Sequence, residues 1–295
     1  MAESKTDGKA DSNVESKVAT KVGTKAKSRL DFATIGGLLL AAIGIVGGLL
    51  LEGGKLMDIT QYTAALIVVC GTLGAVLVNT PMKTLKGAFR RLRQVITESE
   101  SSHEGVIEEI VGFAYKSRKT GLVSLEADAA TIEDPFLRKS LNMAVDGCDL
   151  SELRSMMELQ IAIEEHHAEA EAKVFEAAGG YAPTIGIIGA VLGLIQVMKH
   201  LENIEEVGHG IAVAFVATVY GVAIANIFFL PAANKIKARI GLETERKELI
   251  LEGIVGIVEG LNPKLIRSKL EAYAPGMKPA VASTGEGGGP QAVAA

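Results

Sequence analysis

Hydrophobic residues in this chain are gathered into four long blocks that contain no charged residue. The blocks extend over residues 32–51, 59–82, 177–198 and 207–234. Each reaches the length of about 20 residues at which an α-helix, rising about 1.5 Å per residue, crosses the hydrocarbon core of a bilayer. The pattern therefore predicts four transmembrane helices, arranged as two hairpins.

Between the two hairpins, over residues 83–176, the pattern becomes amphipathic. Leu85, Phe89 and Leu92 recur at helical spacing among Lys and Arg residues, which is typical of helices with one buried face. No long run alternates apolar and polar residues, so we expect a compact helical domain without strands. Its last helix is predicted to run from Leu150 directly into the third transmembrane block.

The remaining segments complete the predicted architecture. Residues 1–31 are rich in Lys, Ser, Thr and Ala and have too few large apolar residues to form a core, which predicts a disordered tail. Residues 235–273 are predicted to form further helices, and the Gly-, Pro- and Ala-rich residues 274–295 a second disordered tail. The predicted fold class is an all-α membrane protein with a helical cytoplasmic subdomain inserted between the second and third transmembrane helices.

Basic residues indicate the orientation of these helices. Of the 30 Lys and Arg residues, 28 lie in the two terminal segments and the central domain, and only Lys55 and Lys199 lie in the short loops within the hairpins. Because Lys and Arg are enriched in cytoplasmic segments, both termini and the central domain are predicted to be cytoplasmic. Cys70 lies in a transmembrane block and Cys148 in the central domain, so no disulfide framework is expected.

Several kinds of chemistry are absent from the sequence. It has no nucleophile beside a base, no glycine-rich phosphate loop and no basic surface for nucleic acid, so we expect neither an enzyme nor a bound cofactor. Glu and His residues cluster at 164–171, but only His167 and Glu171 share a helical face, and a closed metal site needs about four ligands. The cluster is interpreted as a solvated helix without a metal.

The last two transmembrane blocks contain no Asp or Glu, although membrane proteins that move ions usually have an intramembrane carboxylate. The third block instead has small residues on one helical face. This face is either a packing seam within the chain or a groove that receives another helix closely. Its members follow i, i+3, i+4 and i+7 spacing: Gly186, Gly189, Ala190 and Gly193.

Three further membrane residues have two interpretations each. Pro183 and Pro231 lack a backbone N–H and can kink the third and fourth helices, either for purely structural reasons or as part of a movement. Thr218 is a lone hydroxyl in an apolar helix, where it either bonds back to its own helix or lies along an ion route.

A group of charged residues flanks a predicted turn at Gly121 in the central domain. Arg118 and Lys119 precede the turn, and Glu126 and Asp128 follow it. Such residues are usually solvated, because exposed ion pairs stabilise a fold by only about 0–1 kcal/mol. A projecting turn with both signs of charge is also suited to docking a charged partner.

The order of two spans, a large cytoplasmic insertion and two further spans resembles the A subunit of bacterial flagellar motor stators, of the MotA/PomA type within the MotA/TolQ/ExbB proton channel superfamily. The resemblance covers residues 32–273 and is strongest in three motifs: YKSRKTGLVSLEAD (115–128), YAPTIGIIGAVLGLIQVM (181–198) and ATVYGVAIANIFFLP (217–231). It implies a multi-pass protein of the bacterial inner membrane, in which a homo-oligomer, expected to be a pentamer, surrounds a dimer of a B subunit.

The resemblance also implies residue roles. Pro183 and Pro231 match the prolines that couple ion flow to movement, and Thr218 matches a threonine near the ion route. Ala190 occupies a position where sodium-driven members have a threonine, which favours protons. Arg118, Glu126 and the neighbouring Lys119 match residues that contact the rotor switch protein (FliG type).

The B subunit of the family has a single transmembrane helix with an ion-carrying Asp and a peptidoglycan-binding domain. The resemblance therefore assigns the missing carboxylate to this partner, with its helix packed against Gly186, Gly189 and Gly193. Two alternatives are an ExbB/TolQ-like energiser of envelope transport, whose family has three spans, and a membrane scaffold that conducts no ions.

Overall fold

The structure is a computed structural model that describes residues 28–99 and 103–273. The predicted disordered tails therefore lie outside the described residues, except for residues 28–31 of the first one. Almost all of the described chain is helical, which agrees with the predicted all-α membrane fold. The elements in chain order are β1 (Ser28–Leu30), α1 (Phe32–Leu51), a 3-10 turn (Leu56–Ile59), α2 (Tyr62–Asn79), α3 (Met82–Ile96), β2 (Thr97–Ser99), α4 (His103–Thr120), a 3-10 turn (Leu122–Leu125), α5 (Glu126–Ala129), α6 (Pro135–Val145), α7 (Leu150–Lys199), α8 (Ile204–Ala223), a π-helical segment (Ile224–Phe229), α9 (Leu230–Val258) and α10 (Pro263–Glu271).

The four predicted spans all correspond to helices that are long and apolar enough to cross a membrane. Helix α1 has the predicted bounds, and α7 runs from Leu150 without interruption through the third span. The second span, Leu56–Asn79, begins and ends three residues earlier than the predicted 59–82, because α2 ends at Asn79. Pro81 disfavours the helical conformation at the residue before it, and Thr80 is extended, with φ −125° and ψ 129°.

The fourth span changes its helical pitch close to Pro231. Pro231 has no N–H to donate to the carbonyl of Ile227, four residues earlier. The chain accommodates this defect with the π-helical segment, in which the N–H of Leu230 bonds to the carbonyl of Ala225, five residues back. The helix then continues as α9 to Val258, so the predicted extension of the fourth span beyond Pro231 is confirmed.

The chain forms two compact units. The larger unit contains residues 28–99 and 155–248. One apolar core of this unit joins α2 and α3 to α7 and α9 through Val76, Ala88, Phe175 and Ile236, with further small residues around them. A second core joins α2 to α8: Ala64, Val68, Val213, Val216 and Ala217.

Two short strands accompany the predicted helices. Residues Ser28–Leu30 of β1 pair antiparallel with Thr97–Ser99 of β2. Three-residue strands are too short to produce an alternating pattern in the sequence, and so this ribbon was not predictable from periodicity.

The smaller unit contains residues 103–154 and 249–273. Its buried side chains include Ile107 and Ile110 of α4, Leu141 of α6 and Ile254 of α9. Gly253 permits close packing here, since an added Cβ would lie 2.7 Å from the Cγ2 of Ile110. On the surface, two hydrogen bonds of 2.6 and 2.7 Å join Arg267 of α10 to Glu108 of α4.

Candidate functional site

Helices α7 and α8 pack closely along their membrane segments because both lack side chains at the contact. An added Cβ at Gly186 would lie 2.9 Å from the carbonyl oxygen of Ala217, and one at Gly193 would lie 2.8 Å from that of Gly210. On the opposing helix, a Cβ at Gly221 would lie 2.5 Å from the carbonyl oxygen of Ala182. Distances below 3.0 Å are not tolerated without a shift, so this contact requires glycine on both helices.

This contact decides between the two interpretations of the small-residue face. Gly186, Gly189 and Gly193 are buried, and α8 of the same chain occupies the space beside each of them. The prediction that these glycines receive the helix of a partner subunit is therefore wrong. Within a lipid environment, small residues serve the close approach of neighbouring helices, and the nearest such neighbour is the second half of the same hairpin.

Thr218 lies at the edge of this contact. Its side chain is half-buried, and its Oγ1 donates a 3.2 Å hydrogen bond to the carbonyl of Ala214, one turn earlier. A Cβ at Gly186 would come within 3.4 Å of the Thr218 Cα. The neighbouring Phe215 and Val219 of α8 are exposed, as are Ile187, Ile188 and Val191 of α7. We call these exposed apolar residues the open face of the hairpin, and Thr218 lies at its edge.

Pro183 and Pro231 lie near each other, because residues that precede them in α7 and α9 are in contact. Pro183 lies inside α7 and leaves the carbonyl of Gly179 without its usual donor,. Gly179 in turn faces Leu230, the residue before Pro231, since an added Cβ would lie 2.6 Å from the Leu230 Cδ2. The two helical defects therefore lie beside each other across the α7–α9 contact.

Ala190 is half-buried on α7, next to the buried Gly189. Its methyl group offers no oxygen ligand. The neighbouring Ile187, Ile188 and Val191 are exposed and apolar, so these three neighbours add no polar side chain beside Ala190.

The charged turn of the smaller unit has the predicted form. Arg118 and Lys119 lie in the last turn of α4, Gly121 follows with φ +86°, and Glu126 begins α5. The side chains of Arg118, Lys119 and Glu126 are exposed. Beside them, Lys116 and Asp128 form an ion pair of 2.7 Å across the turn, and the Ser124 hydroxyl donates to the carbonyl of Gly121 at 2.6 Å.

The acidic cluster at 164–171 is used in ion pairs between helices. Glu171 accepts a 2.5 Å hydrogen bond from Arg91 of α3, and Glu164 pairs with Lys247 of α9 at 2.6 Å. Among the described residues, no group of three or more His, Cys, Asp or Glu side chains is arranged to hold a metal ion.

Two polar connections were missed by the sequence reasoning, because they join residues far apart in the chain. The Tyr220 hydroxyl of α8 donates to the carbonyl of Ile59 and accepts from the N–H of Gln61 at 3.4 Å. Asp31 caps α1 and pairs with Lys235 and Arg239 of α9. The hydrogen bond from Lys235, together with that from the Thr34 N–H, holds the pKa of Asp31 below its ordinary value although burial acts to raise it.

These features define a class of protein: a four-span membrane protein whose last two spans form a tightly packed hairpin with one open face and no acid of its own. Comparison with known proteins identifies the family. Residues 128–249 match the MotA/TolQ/ExbB proton channel family, and residues 35–119 match the motility protein A N-terminal family.

Relatives match over most of the chain. Motility protein A of Bacillus subtilis (strain 168) is 35% identical over 247 residues, which is 83% of this chain and 92% of the relative. The solved structure of C. jejuni MotAB matches with a TM-score of 0.81 at 33% identity, over 86% of this chain and 100% of that one. The flagellar MotAB stator complex from Bacillus subtilis matches with a TM-score of 0.78 at 35% identity, over 83% of this chain and 96% of that one. The chain belongs to the motility protein A family.

Proposed function

We infer that this chain is the A subunit of a flagellar motor stator, which forms an ion channel together with a B subunit. The observation that carries this inference is the 35% identity to Motility protein A of Bacillus subtilis over 83% of the chain, combined with the absence of acidic residues from the last two spans. A channel wall without a carboxylate needs a partner to supply the group that binds the ion.

The N-terminal match favours this function over an ExbB/TolQ-like energiser. Both groups share the channel family matched at 128–249, but residues 35–119 match the N-terminal family of motility protein A. The first two helices precede the inserted domain, as the stator topology requires.

We propose that the partner helix packs against the open face of α7 and α8, beside Thr218 and Ala190. This face is exposed and apolar, with Ile187, Val191 and Phe215 between 50% and 71% exposed. Lipid or an apolar transmembrane helix covers such a surface, and Thr218 places a hydroxyl at its edge. The titrating Asp belongs to the B subunit, and several copies of this chain, with five as the expected number, surround a B dimer.

The conducted ion is proposed to be the proton. Ala190 supplies a methyl group where a dehydrated Na⁺ would require an oxygen ligand. A proton that crosses a potential of about 100 mV releases about 2.3 kcal/mol. Pro183 and Pro231 are proposed to concentrate the resulting movement where their helical defects meet. In this arrangement the protein lies in the bacterial inner membrane with both termini in the cytoplasm, and it is a channel-forming subunit, not an enzyme.

The test is complementation of a strain that lacks its own stator, with this chain and its B subunit expressed together. We expect swimming that is independent of sodium and stops when a protonophore is added. Thr218→Val removes the hydroxyl at nearly constant volume and is expected to slow swimming severely, whereas Thr218→Ser keeps the hydroxyl and retains motility. Swimming that requires sodium would contradict the proton assignment, and full speed in Thr218→Val would contradict the role of Thr218.

A further inference from the structure

Tyr220 joins the fourth span to the start of the second span. Its hydroxyl donates to the backbone carbonyl of Ile59 and accepts a 3.4 Å hydrogen bond from the backbone N–H of Gln61. Gln61 is the N-cap residue of α2, and its own side chain makes no capping hydrogen bond. The phenol therefore satisfies two backbone groups at the point where the chain enters α2.

Tyr220 and Thr218 lie on opposite sides of α8. Two residues of an α-helix differ by about 200° around the axis, which leaves them roughly 160° apart. Burial agrees with this geometry, since Tyr220 packs against Ala64 and Val68 of α2, whereas the neighbours of Thr218 on the other side, Phe215 and Val222, are exposed. A rotation of α8 that moves Tyr220 away from α2 must also move Thr218.

The apolar packing between α2 and α8 is incomplete beside Tyr220. Beside the Tyr220 ring a cavity of about 190 Å³ opens between α2 and α8. Its lining is apolar except for the phenol: Ala65, Val68, Val69, Tyr220, Ala223 and Ile224. Because neighbouring side chains leave this space unfilled, the hydrogen bonds of the hydroxyl add a directional contact to the apolar core of α2 and α8 at this level of the helix.

We propose that Tyr220 is a positioning residue for ion conduction, whose hydroxyl fixes the rotation of α8 so that Thr218 is held at the edge of the open face. The inference rests on the proposed place of Thr218 beside the ion route. Tyr220 does not touch the ion; it acts through the orientation of the helix that bears Thr218.

The test measures this orientation directly in the assembled complex with the B subunit. Cys70 and Cys148 are replaced by Ser, and Thr218→Cys is labelled with a maleimide in membranes, with the rate expressed per assembled complex. Tyr220→Phe is expected to change the labelling rate by about two- to tenfold, as loss of hydrogen bonds of ordinary strength allows. Tyr181→Phe is the matched control, because Tyr181 is also half-buried and its hydroxyl has no hydrogen bond among the described residues.

A second variant separates positioning from general damage. Ala65→Leu fills part of the cavity and is expected to restore both the labelling rate and, with Thr218 intact, the swimming speed of Tyr220→Phe. An unchanged labelling rate in Tyr220→Phe, or no recovery with Ala65→Leu, would overturn the proposal. Labelling reports orientation whether or not Thr218 lines the ion route, so a changed labelling rate together with normal swimming of Thr218→Val would contradict the proposed function and leave only the orienting contact of Tyr220 standing.

Discussion

At the scale of single residues, the contact between α7 and α8 depends on the absence of side chains. Apolar side chains gain little by leaving lipid, so membrane helices associate through close packing of their backbones. Gly186 of α7 and Gly221 of α8 permit this close packing. A Cβ added at either position would meet a backbone oxygen and not the flexible end of a side chain. A backbone cannot move aside without displacing its whole helix.

Gly221→Ala is therefore expected to destabilise the protein, because the new Cβ would lie 2.5 Å from the Ala182 carbonyl oxygen. Overpacking of this kind typically costs about 1–3 kcal/mol, seen as a lower midpoint of thermal unfolding in detergent. Gly208→Ala is the matched control on the same helix, where an added Cβ meets nothing within 4 Å. The control should be neutral or slightly stabilising, and an equal loss in both variants would contradict the packing explanation.

At the scale of elements, the fourth span is divided by its π-helical segment. The Pro231 ring itself is exposed, so its effect on the helix comes from the missing N–H and not from lost packing. The missing N–H of Pro231 is a local cause of the altered pitch. Because Leu230 lies opposite Gly179, the altered segment lies beside the defect that Pro183 produces in α7.

Pro231→Ala restores an N–H that can bond to the carbonyl of Ile227, and we expect residues 224–229 to return to α-helical pitch. The expected readout is increased protection of the amides around Ile227 in hydrogen exchange, with reduced swimming speed. Asn234→Ala, also exposed on α9, serves as the control and should change neither quantity. Unaltered exchange in Pro231→Ala would show that tertiary contacts, not the proline, maintain the π-helical segment.

The start of α1 is attached to α9 by the ion pairs of Asp31, which is only 7% exposed. Asp31→Asn keeps a good helix cap but removes the charged carboxylate that Lys235 and Arg239 contact. The expected loss at neutral pH is about 1.5–3 kcal/mol, the range for hydrogen bonds to charged groups. Asp58→Asn removes the charge of an exposed capping carboxylate, which accepts from the Lys55 N–H at 2.8 Å, and should cost less than about 0.5 kcal/mol.

The same ion pairs predict a pH dependence. Because the folded-state pKa of Asp31 lies below its ordinary value, its stabilisation is fully present above about pH 4 and is lost as the pH falls through the folded-state pKa. The difference in unfolding midpoint between the native chain and Asp31→Asn should therefore shrink on acidification from neutral pH to about pH 3. A difference that stays constant over this range would exclude the charge of Asp31 as its cause.

At the scale of the whole molecule, the exposed turn of the smaller unit is the surface proposed to contact the rotor. Reversing its charge, with Arg118→Glu or Glu126→Lys, is expected to impair swimming without lowering the amount of protein in the membrane, because both side chains are exposed. Lys264→Glu, an exposed charge reversal on α10 of the same unit, is the control. Normal swimming in the Arg118→Glu, Glu126→Lys double variant would refute the rotor contact.

The absence of an acid from the last two spans makes a prediction for the isolated subunit. Purified alone into liposomes, it should conduct no ions above background, whereas liposomes that also contain the B subunit should show flux that depends on the Asp of that partner. The measurement is proton flux followed with an internal pH-sensitive dye. Strong flux through the isolated subunit would contradict the division of labour between the two chains.

The amino-acid composition and the spacing of hydrophobic residues were sufficient to predict the four spans, the helical insertion and the continuous α7. Span length and helical amphipathicity are local properties of the sequence. The exposed turn of Arg118 and Glu126 was predictable for the same reason, since Gly121 ends α4 through its positive φ. The Pro231 defect was also signalled, because a missing N–H disrupts a helix wherever it occurs.

Only the tertiary structure decided which helix occupies the glycine face of α7, since small residues at i, i+3 and i+7 permit close approach without specifying the neighbour. The same holds for Tyr220 and Asp31, whose partners lie 161 and 204 residues away in the chain. A sequence read locally shows that a side chain can form a hydrogen bond or an ion pair. The partner is chosen by packing of the whole chain, which brings distant backbone groups and charges within reach.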